Sequence, residues 1–475
     1  MRPRSRARST GWASLAVAGA LSAAACASAA PHRTAAGGTD WTRFGYTAAR
    51  SSNGPASTGI TAANVARLRR LQVHLDGTVD ASPIYLHDVR VGGSSHDTFF
   101  VTTTYGRTEA IDADSGAVLW RFTPSGYSSW AGTYRITTAT PVADPGRAWI
   151  YSASPDGRIH KLAVADGHEA WSVAVTRLPE REKLAAALNF SRGRVIVTTG
   201  GYIGDAPPYQ GHVAVIDVPS GRLLHVWNSL CSDRHELIVP SSCPESDSAM
   251  WGRAGAVVEP QTGNLLVATG NGHWDGHTYW GDSALELSPD VSRLVGSWTP
   301  TNESELDSGD ADLGSTSPAL LTSALAVQGG KDGKIRLLSL RRLRPAGPHK
   351  GGELQTISTP GGTDLFTAPA VRNGRLYVAD NAGTAAWRLV RGRLRRMWTN
   401  GSGGTSPVVA GGLLYVYDPD GGLRVYVPAS GKLVADLPAG AGHWNSPIVA
   451  DGRVALPEGD ANDHATTGVL NIYRR

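Results

Sequence analysis

The sequence predicts an all-β chain, an eight-bladed β-propeller of four-stranded antiparallel blades closed by an N-terminal strand in the last blade. Composition is the first reason: 57 Gly, 28 Pro and 14 Trp accompany only 18% charged residues, which means many turns and aromatics and few helix-surface charges. A recurring strand start is the second. ASPIYL from Ala81, TATPVA from Thr138, STSPAL from Ser315, TAPAVR from Thr367, TSPVVA from Thr405 and NSPIVA from Asn445 each open an apolar, β-branched strand behind a small residue and proline. Third, each start is followed by two further strands and often a fourth ending in Trp, as at Trp120, Trp171, Trp227, Trp298 and Trp398. The period is about 40 to 55 residues, the length of one propeller blade.

Taken along the chain, residues 1–25 read as an export signal, with Arg2, Arg4, Arg6 and Arg8 ahead of an Ala/Leu/Val run from Ala13 to Ala25 that is short for a membrane span. Ala23-Ala24-Ala25-Cys26 is similar to a bacterial lipoprotein cleavage box, so lipidation of Cys26 and plain cleavage are both open, and residues 26–39 form a flexible tether. The propeller occupies 40–475. Its copies start near Ala81, Thr138, Leu188, Trp251, Thr316, Thr367, Ser406 and Ser446. The last copy is a strand short, and RLRRLQVHL, residues 67–75, is expected to dock as its outermost strand and so remove an exposed edge. Within each copy, turns such as Asp114-Ser115-Gly116, Ala165-Asp166-Gly167 and Pro219-Ser220-Gly221 place glycine where positive φ is needed.

Cys231 and Cys243 are expected to form a disulfide in an oxidising compartment, the alternative being two free thiols. The formal net charge is +4, part of it in the export segment, and no sustained Lys/Arg stripe interleaved with aromatics appears, so no nucleic-acid partner is expected. Arg69-Arg70, Arg341-Arg342 and Arg391 to Arg396 read as solvated strand and loop edges. Nucleophile-elbow, P-loop and HExxH signatures are absent, which removes the common hydrolase and nucleotide classes.

Two stretches carry a family resemblance. DWTRFGYTAARSSNGPASTGITAANVARLRRLQVHL is similar to the start of quinoprotein alcohol dehydrogenases, with Asn64-Val65 and Leu68 on the "NV..L" strand, and AIDADSGAVLW, residues 110–120, matches their repeat. WGRAGAVVEPQTGNLLVATGN, residues 251–271, stays in step with the family over its whole length. The resemblance implies an eight-bladed propeller with PQQ-type repeats whose funnel binds pyrroloquinoline quinone with Ca²⁺. It implies that Trp251 stacks on the quinone and Asn271 ligates the metal. An indole offers a flat face to a planar ring, and an amide oxygen suits a hard cation. The competing readings are a funnel plug for Trp251 and a left-handed turn residue for Asn271.

SWTPTNESELDSGDADLGSTSPALL, residues 297–321, is similar to the family segment with the catalytic aspartate, which points to Asp310 and Asp312; acidic loops are otherwise merely solvated. AVQGGKDGKIRLLSL resembles the strand whose cation reaches the quinone, implying Lys331, with an ordinary Lys-Asp-Gly hairpin as the alternative. Arg253 joins the expected cofactor-binding residues. Asp80, Arg135, Arg253, Asp364, His443, Trp444 and Asn445 are expected to ring one mouth. Departures stand beside the matches: there is no Cys-Cys, no CxxCH haem site, and Tyr202 or Asp205 where the family has a metal-binding Glu. His273-Trp274-Asp275-Gly276-His277 reads as a metal-gathering loop or as an incidental one.

Two functions follow. One is an exported, extracytoplasmic quinoprotein-like propeller binding the quinone and Ca²⁺ and oxidising an alcohol or sugar. The other is a non-catalytic envelope scaffold or carbohydrate- or protein-binding propeller. Membrane contact is expected only through a lipid anchor at Cys26.

Overall fold

Tryptophan and turn glycine, the two marks of the repeat, are partners across blades. Gly167, Gly221 and Gly431 adopt φ of +74°, +69° and +70°, and a Cβ on them would come within 3 Å of the rings of Trp120, Trp171 and Trp398 respectively. The indole Nε1–H groups of the same tryptophans donate to the carbonyls of Val164, Val218 and Pro428 in the following blade at 2.9 to 3.1 Å. Three pairs of neighbouring blades are thereby latched by a residue that only glycine can lie beneath.

The computed structural model describes residues 38–344 and 347–475, so the export segment and Cys26 lie outside the described residues. Eight four-stranded antiparallel sheets form the blades. Blades 1 to 7 span 84–122, 142–174, 189–228, 257–298, 319–358, 370–400 and 408–437. Blade 8 joins Ile448–Ala450, Arg453–Glu458 and Gly468–Arg474 to the N-terminal strand Arg69–Leu75, paired from Arg69 with Arg474 to Leu75 with Gly468. The expected closure is therefore present. Asn64 to Leu68 differs from expectation: Val65–Arg67 is a single 3₁₀ turn, held because the Asn64 carboxamide accepts the Thr61 N–H, and the strand begins only at Arg69.

Burial follows the blade interfaces rather than one centre. Phe100, Trp120, Ile150 and Leu162 pack blade 1 on blade 2, and Val327, Leu337, Leu376 and Trp387 pack blade 5 on blade 6. The two ends of the ring are built differently. Long connections gather at the loop end, where the innermost strands start. Short turns gather at the other, the turn end.

At the turn end the segment before the first blade runs across the inner strands. Trp41 pairs with Tyr85 of blade 1. Ala143, Val258, Val371, Val409 and Gly452 then donate their N–H groups to the carbonyls of Thr42, Ala48, Ser51, Ser52 and Thr58. Arg50, 2% exposed, donates to the carbonyls of Phe44, Ala187 and Leu188. These inner-strand donors are thus satisfied.

Candidate functional site

Trp251 lies on the connection into blade 4, at the loop end. Phe366, before blade 6, and Trp444, before blade 8, meet it with ring centroids 5.9 and 5.6 Å away, and lie 6.0 Å from each other in a stacked pair. All three are partly exposed. They form an aromatic floor from three different blades.

On one side of this floor four expected residues converge. The Lys331 ammonium lies 5.6 Å from the Trp251 ring centroid and pairs with Asp310 at 2.7 Å and Asp312 at 2.5 Å. The Asn271 carboxamide N–H donates to Asp310 (2.9 Å), and its backbone N–H donates to Asp312 (2.9 Å). Its carboxamide oxygen is buried and has no hydrogen-bond partner. Gly270 explains why TGN is needed here: a Cβ would fall 1.9 Å from the Asp312 carboxylate, so only glycine lets that carboxylate reach the Asn271 N–H. The two aspartates differ, since the Asp310 side chain is 70% exposed and that of Asp312 only 10%.

More carboxylates crowd the same side than Lys331 can balance. Burial raises the pKa of Asp205, against the Tyr209 hydroxyl that donates to it at 2.9 Å, and Asp312 and Asp310 add to the rise. Asp247 is raised in the same way, by burial and by Asp205, Asp307 and Asp312. Burial pushes Asp282 up to about 8, although the Leu313 N–H donates to it. Burial alone would lower the Lys331 ammonium, but Asp312 and Asp310 hold it above its ordinary value. Asp205, Asp247, Ser248, Asp282 and Asp310 all have left-handed φ, a backbone strain that concentrates around this cluster.

Such a donor set fits a hard divalent cation: an unpartnered amide oxygen beside the carboxylates of Asp310 and Asp312, with Asp205, Asp247 and Asp282 near them raised above their ordinary values by burial. Asn271 would hold it through its unpartnered amide oxygen, with Asp205 nearest in kind to the missing Glu. Trp251 and Lys331 would hold a flat anionic quinone, the indole supplying an aromatic face and the ammonium a positive charge.

Arg253 is placed differently. It is 3% exposed, donates to the carbonyls of Asp80 and Ala185, and lies 5.4 Å from the Trp444 ring, so it braces the floor from beneath. The His443 imidazole, stacked on Trp444 at 4.0 Å, donates Nδ1–H to the fully buried Asp80 at 2.8 Å, with Asp460 3.4 Å away. Lys183, near Asp80 and Asp460, is lowered by burial to about 8. Sequence reading named His443 and Asp80 only as members of a ring and missed Phe366, Lys183 and Asp460. Only their shared position at strand starts and inter-strand loops could have signalled them. Asp364 is exposed and Arg135 pairs with Glu180 at 3.5 Å, both apart from the floor. In the His273 to His277 loop, Asp275 accepts the N–H groups of His277, Thr278 and Tyr279, which makes it a turn cap.

The expected disulfide is present, linking Cys231 and Cys243 with Cα atoms 6.1 Å apart, and it closes the loop that leads to Asp247, Ser248 and Trp251. It suits an oxidising, extracytoplasmic compartment. Among the described residues no helix is long and apolar enough to cross a membrane.

Comparison with known proteins agrees with the repeat and the fold. The family described as "Outer membrane protein assembly factor BamB", whose repeats are of the PQQ type, matches residues 66–234 and 372–467, more than half of the chain. Quinohemoprotein alcohol dehydrogenase ADH IIB of Pseudomonas putida is 27% identical over 298 residues, covering 56% of this chain and 40% of its own length. The chain thus spans about two-fifths of the length of that relative. Polyvinylalcohol dehydrogenase of a Pseudomonas species is 20% identical over 454 residues, covering 85% of this chain and 67% of its own. Among solved structures, a europium-containing methanol dehydrogenase superposes with TM-score 0.68 at 16% identity, covering 92% of this chain and 98% of its own. BamB from Moraxella catarrhalis gives TM-score 0.55 at 14% identity, covering 86% and 98%. With its latched blades, its closing strand and its matched repeats, the chain belongs to the PQQ-repeat β-propeller family and is similar to quinoprotein alcohol dehydrogenases.

Proposed function

We propose that this is an exported protein whose loop end binds pyrroloquinoline quinone with Ca²⁺ and oxidises an alcohol or sugar hydroxyl. The observation that carries the reading is the buried, unpartnered Asn271 carboxamide oxygen beside Asp310, Asp312 and Lys331, over the edge of the Trp251 ring. The bound quinone would supply the two-electron acceptor. Asp312, screened from solvent and oriented by the Asn271 N–H, is the base that takes the hydroxyl proton; Asp310, exposed, tunes Lys331. Lys331 holds positive charge where negative charge develops. The aromatic floor excludes water below the reacting atoms.

A second reading, a non-catalytic carbohydrate- or protein-binding propeller, is favoured by one observation: Trp251, Phe366 and Trp444 already pack on one another across the axis. A single assay separates the two. The purified chain is given the quinone and Ca²⁺, and tryptophan quenching and dye-linked alcohol oxidation are followed together. Saturable quenching with turnover supports the first reading. Quenching without turnover leaves a binding protein, and no quenching at high quinone discards the cofactor altogether.

A further inference from the structure

Most arginines of the described chain are partnered. Arg121 pairs with Asp76, Arg336 with Asp332, Arg344 with Glu286, Arg424 with Asp418, and Arg453 with Asp97 and Asp114. Blade 6 breaks this pattern. Its 370–400 stretch carries seven arginines and a single acid, Asp380, which is 1% exposed and turned to the backbone of Gly361, Ala382 and Gly383. None of the seven takes part in the ion pairs or side-chain hydrogen bonds of the described residues.

Their arrangement is a ladder. Arg372 is opposite Arg375, Arg375 opposite Arg388, and Arg388 opposite Arg395, one arginine on each of the four strands in direct register. Directly opposed residues share one face of a sheet, so four guanidinium groups line up from the axis to the rim. Arg391 and Arg393 extend the row into the last turn of the blade, and all but the partly buried Arg372 are exposed. Like charges directly opposite one another destabilise a sheet. A row kept at that cost, with no counter-charge, points to an anionic partner.

The ladder ends in the Asn373-Gly374 and Arg391-Gly392 turns, which puts it at the turn end, away from Trp251. The chain enters the ring at the same end: the Thr39 N–H donates to Asp451 in the corresponding turn of blade 8, and Val371, next to Arg372, is bonded to Ser51 of the incoming segment. Eleven residues, 27–37, lie between Cys26 and Gly38, a reach of at most about 40 Å when extended.

We propose that the arginine row of blade 6 docks the turn end onto an anionic phospholipid bilayer, leaving the Trp251 mouth facing away from it. Charge complementarity with lipid phosphates and the arrival of the chain at this end support that occupant over an acidic protein or polysaccharide. The inference stands apart from the cofactor reading.

The test is co-sedimentation of the full chain carrying Cys26→Ser with vesicles of phosphatidylcholine alone or with a third phosphatidylglycerol. Binding to the anionic vesicles only, weakened by salt, is expected. Each arginine at such a surface is worth about fivefold, so Arg375→Gln/Arg388→Gln/Arg393→Gln/Arg395→Gln is expected to lose binding by about a hundredfold or more, with unfolding temperature no lower than the parent's. Lys334→Gln, at the loop end, is expected to bind like the parent. Equal binding to neutral vesicles, no binding to anionic ones, or unchanged binding of the fourfold variant overturns the proposal. Arginine-dependent capture of polyglutamate without any vesicle binding also overturns it, in favour of an acidic polymer.

Discussion

The two ends of this ring hold opposite charge surpluses, and neither is balanced by its own neighbours. At the loop end the pKa values of Asp205, Asp247 and Asp282 are raised, chiefly by burial, in the acidic cluster that Lys331 joins. At the turn end the arginines of blade 6 stand in register without one carboxylate among them. Many charges elsewhere are paired or spent on turns, as Asp112 and Asp217 are when they accept N–H groups of the following turn. The difference teaches that packing alone asks for neither surplus, and both proposals rest on that excess: a cation at the loop end and an anionic surface at the turn end.

Four perturbations would break or sharpen that contrast. Asp312→Asn removes the screened base and should lower kcat by about a hundredfold to ten-thousandfold, whereas Asp310→Asn, at a mostly exposed position, should lower it about tenfold; equal losses would undo the division of roles. Removing the disulfide with Cys231→Ser/Cys243→Ser should destabilise the chain by about 2 to 3 kcal/mol, because the closed loop is short, and should loosen quinone binding by freeing the segment before Trp251. Unfolding in denaturant measures the first effect and tryptophan quenching the second.

The third concerns pH. The Asp282 carboxyl titrates higher in the folded chain, at about 8, than in the unfolded one. The folded state therefore binds more protons, and the stability this contributes is full below the ordinary carboxylate range and lost as pH rises towards 8. Unfolding temperature should fall from pH 5 to pH 8, and Asp282→Asn should flatten that slope; an unchanged slope would remove Asp282 as its source. The smallest effect is at the other end. Arg388→Gln relieves two like-charged cross-strand pairs and should stabilise by about 0.2 to 1 kcal/mol per pair, a gain visible as a slightly raised midpoint in urea.

Much of the architecture was legible in the chain because one local rule repeats. A small residue with proline starts the inner strand, and a glycine turn receives the tryptophan of the blade before it. The disulfide followed from a nearby pair, Cys231 and Cys243, in a chain read as exported, and the closing strand from residues 67–75 having nothing of their own to pair with. The site was legible in part: Trp251, Asn271, Asp310, Asp312 and Lys331 do meet, although they come from connections of two blades. Phe366, the raised pKa of Asp205 and the burial of Arg253 were not legible, because each depends on which loops the ring brings together across long sequence separations. The run Arg391 to Arg396 read as a solvated edge. Only strand register showed that it continues a row begun at Arg372.

The most direct measurement is calorimetric titration of Ca²⁺ into the chain in the presence of pyrroloquinoline quinone, for the parent, Asn271→Ala and the fourfold arginine variant. The account predicts that the parent and the arginine variant bind with the same Kd and that Asn271→Ala binds at least about tenfold more weakly. An Asn271→Ala chain that binds Ca²⁺ as tightly as the parent would contradict it.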